Sequence, residues 1–312
     1  MLHLLPTAVT LPWPLQDRLD DLLRALLAEG TEAQKIDFTQ PADEAALLAP
    51  DSVSWRVFKN PLSVFIGGVT AVIMELAEPR VRSGVWDHST FRTDPVRRLR
   101  RTGLAAMITI YGPRGTAEDL IARVRRMHDK VEGVTPSGEA YRGNDAVLLN
   151  WVHATAAFGF LKAYYAYARP LARAECDRFY AEGVAAASLY GATGAPHTEA
   201  ELSAMLGAMA ERLERSDIIF EFLSIMRTAP VLPLPLRLLQ HVLVRAAVQL
   251  VPHWLKTKLG LEGFGLRGFE AELVRQAGAL ADRIVLNANP AVQACRRMGL
   301  PADYLYAERR GV

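Results

Sequence analysis

Two histidines of the sequence lie within predicted helices, where an imidazole can bind a metal or act as a hydrogen-bonded core residue. His128 belongs to a helix predicted over 117–132 and is expected to point inward, because it lies on the apolar stripe of that helix. That stripe consists of Leu120, Ile121, Val124, Met127 and Val131. A buried imidazole usually finds a hydrogen-bond partner, whereas a neutral imidazole can also be an axial ligand of haem iron. The residues alone favour the core role and leave the ligand role open.

His153 is the second candidate ligand. It lies in the middle of the most apolar segment, 146–161, where an ionisable group must be paired or bound to a ligand to offset its desolvation. Asn150 and Trp151 are nearby polar residues that would equally explain a neutral core histidine. A third histidine, His88, is interpreted as a loop residue next to a helix end.

A basic cluster begins the helix predicted over 95–111. Arg98, Arg101 and Thr102 are separated by three and four residues, so they share one face of that helix. Two guanidinium groups beside a hydroxyl can bind carboxylates or polarise oxygen, although a run of arginines is more often a solvated surface. The sequence contains no Gly-rich phosphate loop followed by Lys and no His-Glu-x-x-His zinc motif.

The elements that would position these residues are helices, because apolar residues recur at helical spacing along nearly the whole chain. Asp94 is expected to cap one helix with Pro95 in its first position, and Thr116 to cap the next. The short segment between these two helices predicts that they pack as neighbours. The predicted fold class is all-α, with a single domain over 1–312. The predicted helices span 14–29, 61–77, 95–111, 117–132, 145–168, 170–190, 198–214, 217–227, 233–251 and 266–285.

The composition limits the function classes. Thirty-six basic and thirty-four acidic residues give a net charge of +2, which argues against nucleic-acid binding. Two cysteines without disulfide or zinc spacing, and an N-terminus without the features of a signal peptide, predict a cytoplasmic protein. The most apolar segment is shorter than the roughly 20 residues that cross a bilayer, so a buried core helix is predicted there and no transmembrane span.

A series of short motifs runs in a fixed order through the first half of the chain. The series is Glu75-Leu-Ala-Glu-Pro79, Gly84-Val-Trp-Asp-His-Ser89, Phe91-Arg-Thr-Asp-Pro95, Arg98-x-x-Arg101-Thr102, Arg125-Arg-Met-His128, Gly138-x-x-Tyr141 and Trp151-Val-His-Ala-Thr155. Each motif is weak alone, but the ordered set resembles the latex-clearing protein and MpaB-type oxygenase family.

This resemblance implies an all-α fold with a globin-like core, a b-type haem and oxygen-dependent cleavage of carbon–carbon double bonds in isoprenoid chains. It also implies that His128, preceded by Arg125, is the proximal iron ligand. The other residues that it places near the haem are the polar Arg98, Arg101 and Thr102 and the pocket-lining Trp151 and His153.

The chain departs from the family pattern at two places. Arg101 stands where rubber-cleaving members have a lysine able to approach the iron, and an arginine, which stays protonated, is a poor ligand. Rubber is therefore not the expected substrate. Glu78-Pro79 stands where related bacterial sequences have a His-Pro pair.

These observations predict a haem b oxygenase that uses O2 on an apolar, isoprenoid or lipid-like substrate. Hydroxylation or peroxide-driven oxidation would fit the same pocket. Two other classes stay open: a haem-binding sensor or carrier without turnover, and a haem-free helical protein that binds an apolar ligand.

Overall fold

Helices make up nearly all of the regular structure. The computed structural model of the chain describes residues 8–27, 36–232 and 236–307. Within these ranges the α-helices are α1 (Trp13–Leu27), α2 (Val53–Phe58), α3 (Pro61–Glu75), α4 (Pro79–Asp87), α5 (Pro95–Tyr111), α6 (Arg114–His128), α7 (Ala146–Tyr167), α8 (Arg173–Tyr190), α9 (Glu199–Met209), α10 (Asp217–Thr228), α11 (Arg237–Leu250), α12 (His253–Leu259), α13 (Glu270–Ala281) and α14 (Pro290–Arg297). A 3-10 turn covers Glu262–Phe264, and β1 (Glu132–Val134) pairs antiparallel with β2 (Ala140–Arg142). The predicted all-α class is confirmed, whereas the globin-like core stays a prediction.

The two most apolar helices, α3 and α7, pack against each other at the centre of the fold. A Cβ on Gly67 of α3 would lie 2.7 Å from the Cα of Phe160 of α7, a distance that only a glycine tolerates at this position. On another side α7 packs against α8, and α11 and α13 also contact the central pair. The close approach places the end of α3 beside the middle of α7.

The helix α7 is longer than the apolar segment for which a buried core helix and no transmembrane span were predicted. In the described part of the chain, Ala146–Tyr167 is the single helix that is by itself long and apolar enough to cross a membrane. Pro61–Glu75 and Pro79–Asp87 meet the same criterion only as a pair, and that pair is bent by 114°. Half of the apolar window of α7 is buried by the rest of the protein, as expected of a central core helix.

The helices α5 and α6 form a hairpin, as the short segment between them predicts. The Asp94 side chain accepts a hydrogen bond from the Arg97 amide with Pro95 in the first helical position, which confirms the predicted cap. The predicted Thr116 cap is wrong, because α6 already begins at Arg114. The Glu44 carboxylate accepts a hydrogen bond from the amide of Gly115 at 2.8 Å, so a distant side chain does part of the capping.

Glu78 forms the corner between α3 and α4. Its side chain is fully buried and accepts hydrogen bonds from the amide of Val81 and from Nε of Arg80, both at 2.8 Å. Nε of Arg212 lies 3.5 Å from the same carboxylate. The glutamate of the Glu78-Pro79 pair therefore caps α4 and joins two arginines in an ion-pair network.

The remaining differences from the predicted elements concern short helices and helix ends. The helices α2, α4, α12 and α14, and the small hairpin, are absent from the prediction because six to nine residues are too few for a clear helical period. Two predicted helices are longer than the observed α9 and α13. Residues 28–29 and 233–235, also predicted as helical, lie outside the described residues.

Candidate functional site

Four helices bring ionisable and polar side chains together at one end of the α5–α6 hairpin. Glu75 is the last residue of α3, Arg98 lies in the first half of α5, and His128 is the last residue of α6. The charge of Arg98 acts on both the Glu75 carboxyl and the His128 imidazole, so all three groups lie within electrostatic range. Thr155, in the middle of α7, is the fourth member of this cluster.

His128 is half-buried, and its Nδ1 atom is buried without a hydrogen-bond partner among the described residues. Burial lowers the pKa of the imidazole, and the positive charge of Arg98 adds to this, while Asp129 opposes it. The neutral imidazole is the form that binds a metal. A buried nitrogen that makes no hydrogen bond is costly unless a ligand satisfies it.

The loop after α6 fixes the backbone of His128. The carbonyl oxygen of His128 accepts a hydrogen bond from the amide of Val131 at 3.0 Å. Gly143, just after the hairpin, lies so close that a Cβ there would be 2.7 Å from this oxygen. The Asn144 side chain donates to the carbonyl oxygen of Arg125 at 3.1 Å and so satisfies a free carbonyl near the helix end.

The inward stripe predicted for α6 is narrower than expected. Ile121 is buried and Val124 and His128 are half-buried, but Met127 is 46% exposed, so its predicted inward position is wrong. The physical reason is that α6 lies on the surface, and position 127 is rotated by about 100° from position 128. The Arg125 side chain is also exposed.

Arg98 links the surface to the interior of the site. Its guanidinium group donates a hydrogen bond to the Thr102 hydroxyl and lies 5.1 Å from the centre of the Phe91 ring. Burial lowers the pKa of Arg98, the Glu75 carboxyl raises it, and Arg101 lowers it further. Arg98 is half-buried whereas Arg101 and Thr102 are exposed, so this face of α5 runs from the site to solvent.

Glu75 is a site residue that the sequence analysis did not single out. Burial raises the pKa of its carboxyl from 4.5 to about 7, although Arg98 and the Thr155 hydroxyl act in the opposite direction. At neutral pH the Glu75 carboxyl is therefore present in both its protonated and its ionised form, so it can donate or accept a proton. One signal was present in the sequence: Glu75 is the sole ionisable residue of the apolar segment Pro61–Glu75.

His153 lies on a different side of α7 from Thr155, whereas Trp151 lies one helical turn before Thr155 on the same side. Burial alone lowers the pKa of His153 to about 4, with no contribution from Arg98. The ring of His153 faces α8, where a Cβ on Gly183 would lie 3.5 Å from Nε2. Trp151, two residues before His153, is 1% exposed and points to a different side of α7 than His153. Its Nε1 atom is buried and has no hydrogen-bond partner in the described part of the chain.

Two other polar residues of the sequence analysis lie outside the site. His88 is exposed at the end of α4, with Nε2 3.2 Å from the hydroxyl of Tyr141. Asn150, expected as a partner for His153, instead accepts a hydrogen bond from the amide of Gly194 at 2.8 Å.

The cluster is suited to a haem and less suited to a bare metal ion. Within the described residues no three His, Cys, Asp or Glu side chains are close enough to hold a metal ion together. A haem iron needs only one or two protein ligands, since the porphyrin supplies the others. His128 offers a neutral imidazole with an unpaired buried nitrogen, and Arg98 and Arg101 offer cations for propionate groups. The chemistry of these three side chains therefore fits a haem.

Comparison with known protein families matches residues 55–283 to a family described as ER-bound oxygenase mpaB/B'/Rubber oxygenase, catalytic domain. Comparison with curated proteins and with solved structures gives no match. The matched range is more than half of the 312 residues and includes Glu75, Arg98, His128 and Thr155. The chain therefore belongs to the mpaB and rubber oxygenase family, which it matches across the catalytic domain.

Proposed function

We propose that this protein is a haem b-dependent oxygenase that acts on an apolar, isoprenoid or lipid-like substrate, with cleavage of a carbon–carbon double bond as its reaction class. Membership of an oxygenase family supports the enzyme class. The haem proposal depends on His128, whose Nδ1 atom is buried and has no hydrogen-bond partner among the described residues. The lowered pKa of this imidazole favours its neutral form, which can bind iron.

The residues of the cluster have separate roles in this proposal. His128 would hold the iron, and Arg98 and Arg101 would hold the propionate groups. A bound haem b supplies the iron that activates O2 for the oxidation. Arg98 also stabilises the charged form of Glu75, because its positive charge lowers the pKa of a carboxyl that burial raises.

Glu75 is placed to move a proton during the reaction. Its pKa of about 7 lies close to physiological pH, where a general acid or base works most efficiently. The Thr155 hydroxyl lies 3.0 Å from the carbonyl oxygen of Trp151 and 2.9 Å from that of Val152 and is fully buried, which fixes its position beside the carboxyl.

The surroundings of Glu75 support an apolar substrate. Val72 and Gly68 precede it by three and seven residues, so they share its face of α3, and both keep accessible surface. Neither can hydrogen-bond to a ligand through its side chain. A substrate part that reaches this face therefore meets apolar groups and one carboxyl.

Haem content and oxygen uptake test the proposal together. Protein produced with added haem is expected to carry about one haem per chain and to consume O2 with a polyprenyl alcohol. The control is a saturated alcohol of equal chain length, which lacks the double bond. A protein that stays colourless after haem titration would contradict the haem proposal, and uptake that is equal for both alcohols would contradict double-bond cleavage.

A further inference from the structure

A cavity of about 350 Å³ opens between the last turns of α7 and the starts of α8 and α9. Its lining includes Leu161, Lys162 and Tyr165 of α7, Leu171 just before α8, Arg173 at the start of α8 and Glu199 at the start of α9. None of Glu75, Arg98, His128 and Thr155 lines it, so the cavity is separate from the candidate site. Its volume lies at the lower end of the range for small-molecule sites in proteins.

Tyr180 of α8 is 1% exposed, and its buried hydroxyl makes no hydrogen bond with any described residue. Tyr180 follows Cys176, which also lines the cavity, by one helical turn. Because side chains of an α-helix lean toward its N-terminus, the Tyr180 ring is directed over Cys176, toward the end of α8 that borders the cavity. The charges of Glu199 and Cys176 both act on this hydroxyl, which agrees with that direction. A buried hydroxyl without a partner is costly unless a ligand satisfies it.

The polar groups that are left free around the cavity are hydrogen-bond donors. The Glu199 carboxylate is an acceptor, but it already accepts from the ammonium group of Lys162. Burial raises the pKa of Tyr180, and the charge of Glu199 raises it further, so the hydroxyl keeps its proton and can donate it. The Arg173 guanidinium has no partner among the described residues and can only donate. A ligand that satisfies these groups must therefore supply acceptor atoms, as a carboxylate does.

The start of α8 favours an anion as well. Its N-cap residue is Ala172, whose methyl side chain cannot accept hydrogen bonds from the first amides of the helix. The Glu175 carboxylate in the first turn is occupied, because it accepts from the amide of Ala172 at 2.8 Å and from Arg56. Arg237, the first residue of α11, is also exposed and without a partner in the described chain, but it does not line the cavity. Its place in the lining therefore distinguishes Arg173 from other exposed arginines.

We propose that this cavity binds a small amphiphilic monocarboxylate, with its carboxylate held by Arg173 and the Tyr180 hydroxyl. The hydrocarbon part of the ligand packs against Leu161, Leu171 and the ring of Tyr165. Tyr165 is 46% exposed, so its ring is an apolar surface that a ligand can cover. A small number of polar groups that fix the orientation of a ligand, beside apolar side chains that bury it, is the usual composition of a small-molecule site.

Calorimetric titration of the full chain with octanoate tests this proposal. Wild type is expected to bind octanoate with a Kd below about 1 mM. Tyr180→Phe removes only the hydroxyl and should weaken the binding at least about tenfold, as should Arg173→Gln, since each removes a hydrogen bond to a charged group. Two matched controls should bind as wild type does. Tyr190→Phe changes a tyrosine of α8 whose hydroxyl lies 2.9 Å from that of Thr109, and Arg237→Gln removes the same charge from the start of another helix.

Two further probes test the class of ligand. Octan-1-ol has the chain without the charge and acetate has the charge without the chain, so both should bind at least about tenfold more weakly than octanoate. Affinity for either probe that equals the affinity for octanoate would overturn the proposal, as would a wild-type protein that does not bind octanoate. Unchanged binding in Tyr180→Phe, or equal loss in both arginine variants, would overturn it too. None of these results depends on haem or oxygen uptake, so the proposed function is tested separately.

Discussion

A Cβ built on Gly159 of α7 would lie 2.3 Å from the carbonyl oxygen of Gly67 on α3, so these two helices meet backbone to backbone. The contact lies one helical turn of α7 from Thr155 and two turns of α3 from Glu75. It therefore sets the distance between the carboxyl and the hydroxyl of the site. Any side chain at position 159 must separate the two helices.

Gly159→Ala is expected to lower the free energy of unfolding by about 1–3 kcal/mol or more, since the added methyl group has no space. Urea unfolding followed by circular dichroism measures this. Gly207→Ala is the control: Gly207 lies in α9 with no atom within 4 Å of the added Cβ. That substitution should stabilise the protein by about 0.5–1 kcal/mol, because alanine favours the helix. Similar effects of the two changes would refute the close contact.

Glu75→Gln is expected to remove a pH dependence of stability. The pKa of the folded carboxyl is about 7 and its ordinary value is 4.5, so folding favours the protonated form. This contribution is fully present below about pH 4.5 and is lost as the pH rises through about 7, which amounts to about 3 kcal/mol. The difference in unfolding free energy between wild type and variant, measured over this range, should fall with rising pH. A constant difference would mean that the pKa of the Glu75 carboxyl is the same in the folded and the unfolded protein.

His153→Gln should change the pH dependence with the opposite sign. Burial lowers the pKa of His153 from 6.5 to about 4, so folding favours the neutral ring. Its contribution is fully present above about pH 6.5 and is lost as the pH falls through about 4. Wild type should therefore lose stability relative to the variant on acidification, and the opposing effect of Glu75 should flatten the wild-type profile. A variant with the wild-type profile would contradict a neutral buried His153.

The sequence predicts the backbone of the site better than its electrostatics. The Asp94 cap and the Pro95 start follow from local residue types, so the bounds of α5 were predictable. The role of Glu75 was not, because burial in the folded protein raises its pKa, and the Arg98 and Thr155 side chains that oppose this rise lie on helices distant in sequence. Helical spacing indicated the inward side of His128, but it could not show that α6 lies on the surface with Met127 exposed.

Arg98→Ala is expected to reduce haem retention more than Arg100→Ala. Arg98 contacts Thr102 and the Phe91 ring and acts electrostatically on Glu75, while position 100 is rotated away by about 160°. Loss of Arg98 should also raise the pKa of Glu75 above about 7, since its charge lowers that pKa. Haem retention on gel filtration and the pH profile of oxygen uptake measure both effects. Small and equal effects of both changes would assign these arginines to a solvated surface.

The visible spectrum of His128→Ala, compared with the spectra of wild type and His153→Ala, shows whether His128 is the residue that holds the haem. Both substitutions remove a buried or half-buried imidazole, so His153→Ala controls for the loss of a histidine as such. Because a haem ligand stabilises only the folded protein, loss of haem should also lower the Tm measured with haem present, while the haem-free protein changes little. We expect that His128→Ala loses stable haem binding and that His153→Ala keeps the haem. A wild-type haem spectrum in His128→Ala, with haem lost in His153→Ala, would contradict His128 as the haem ligand.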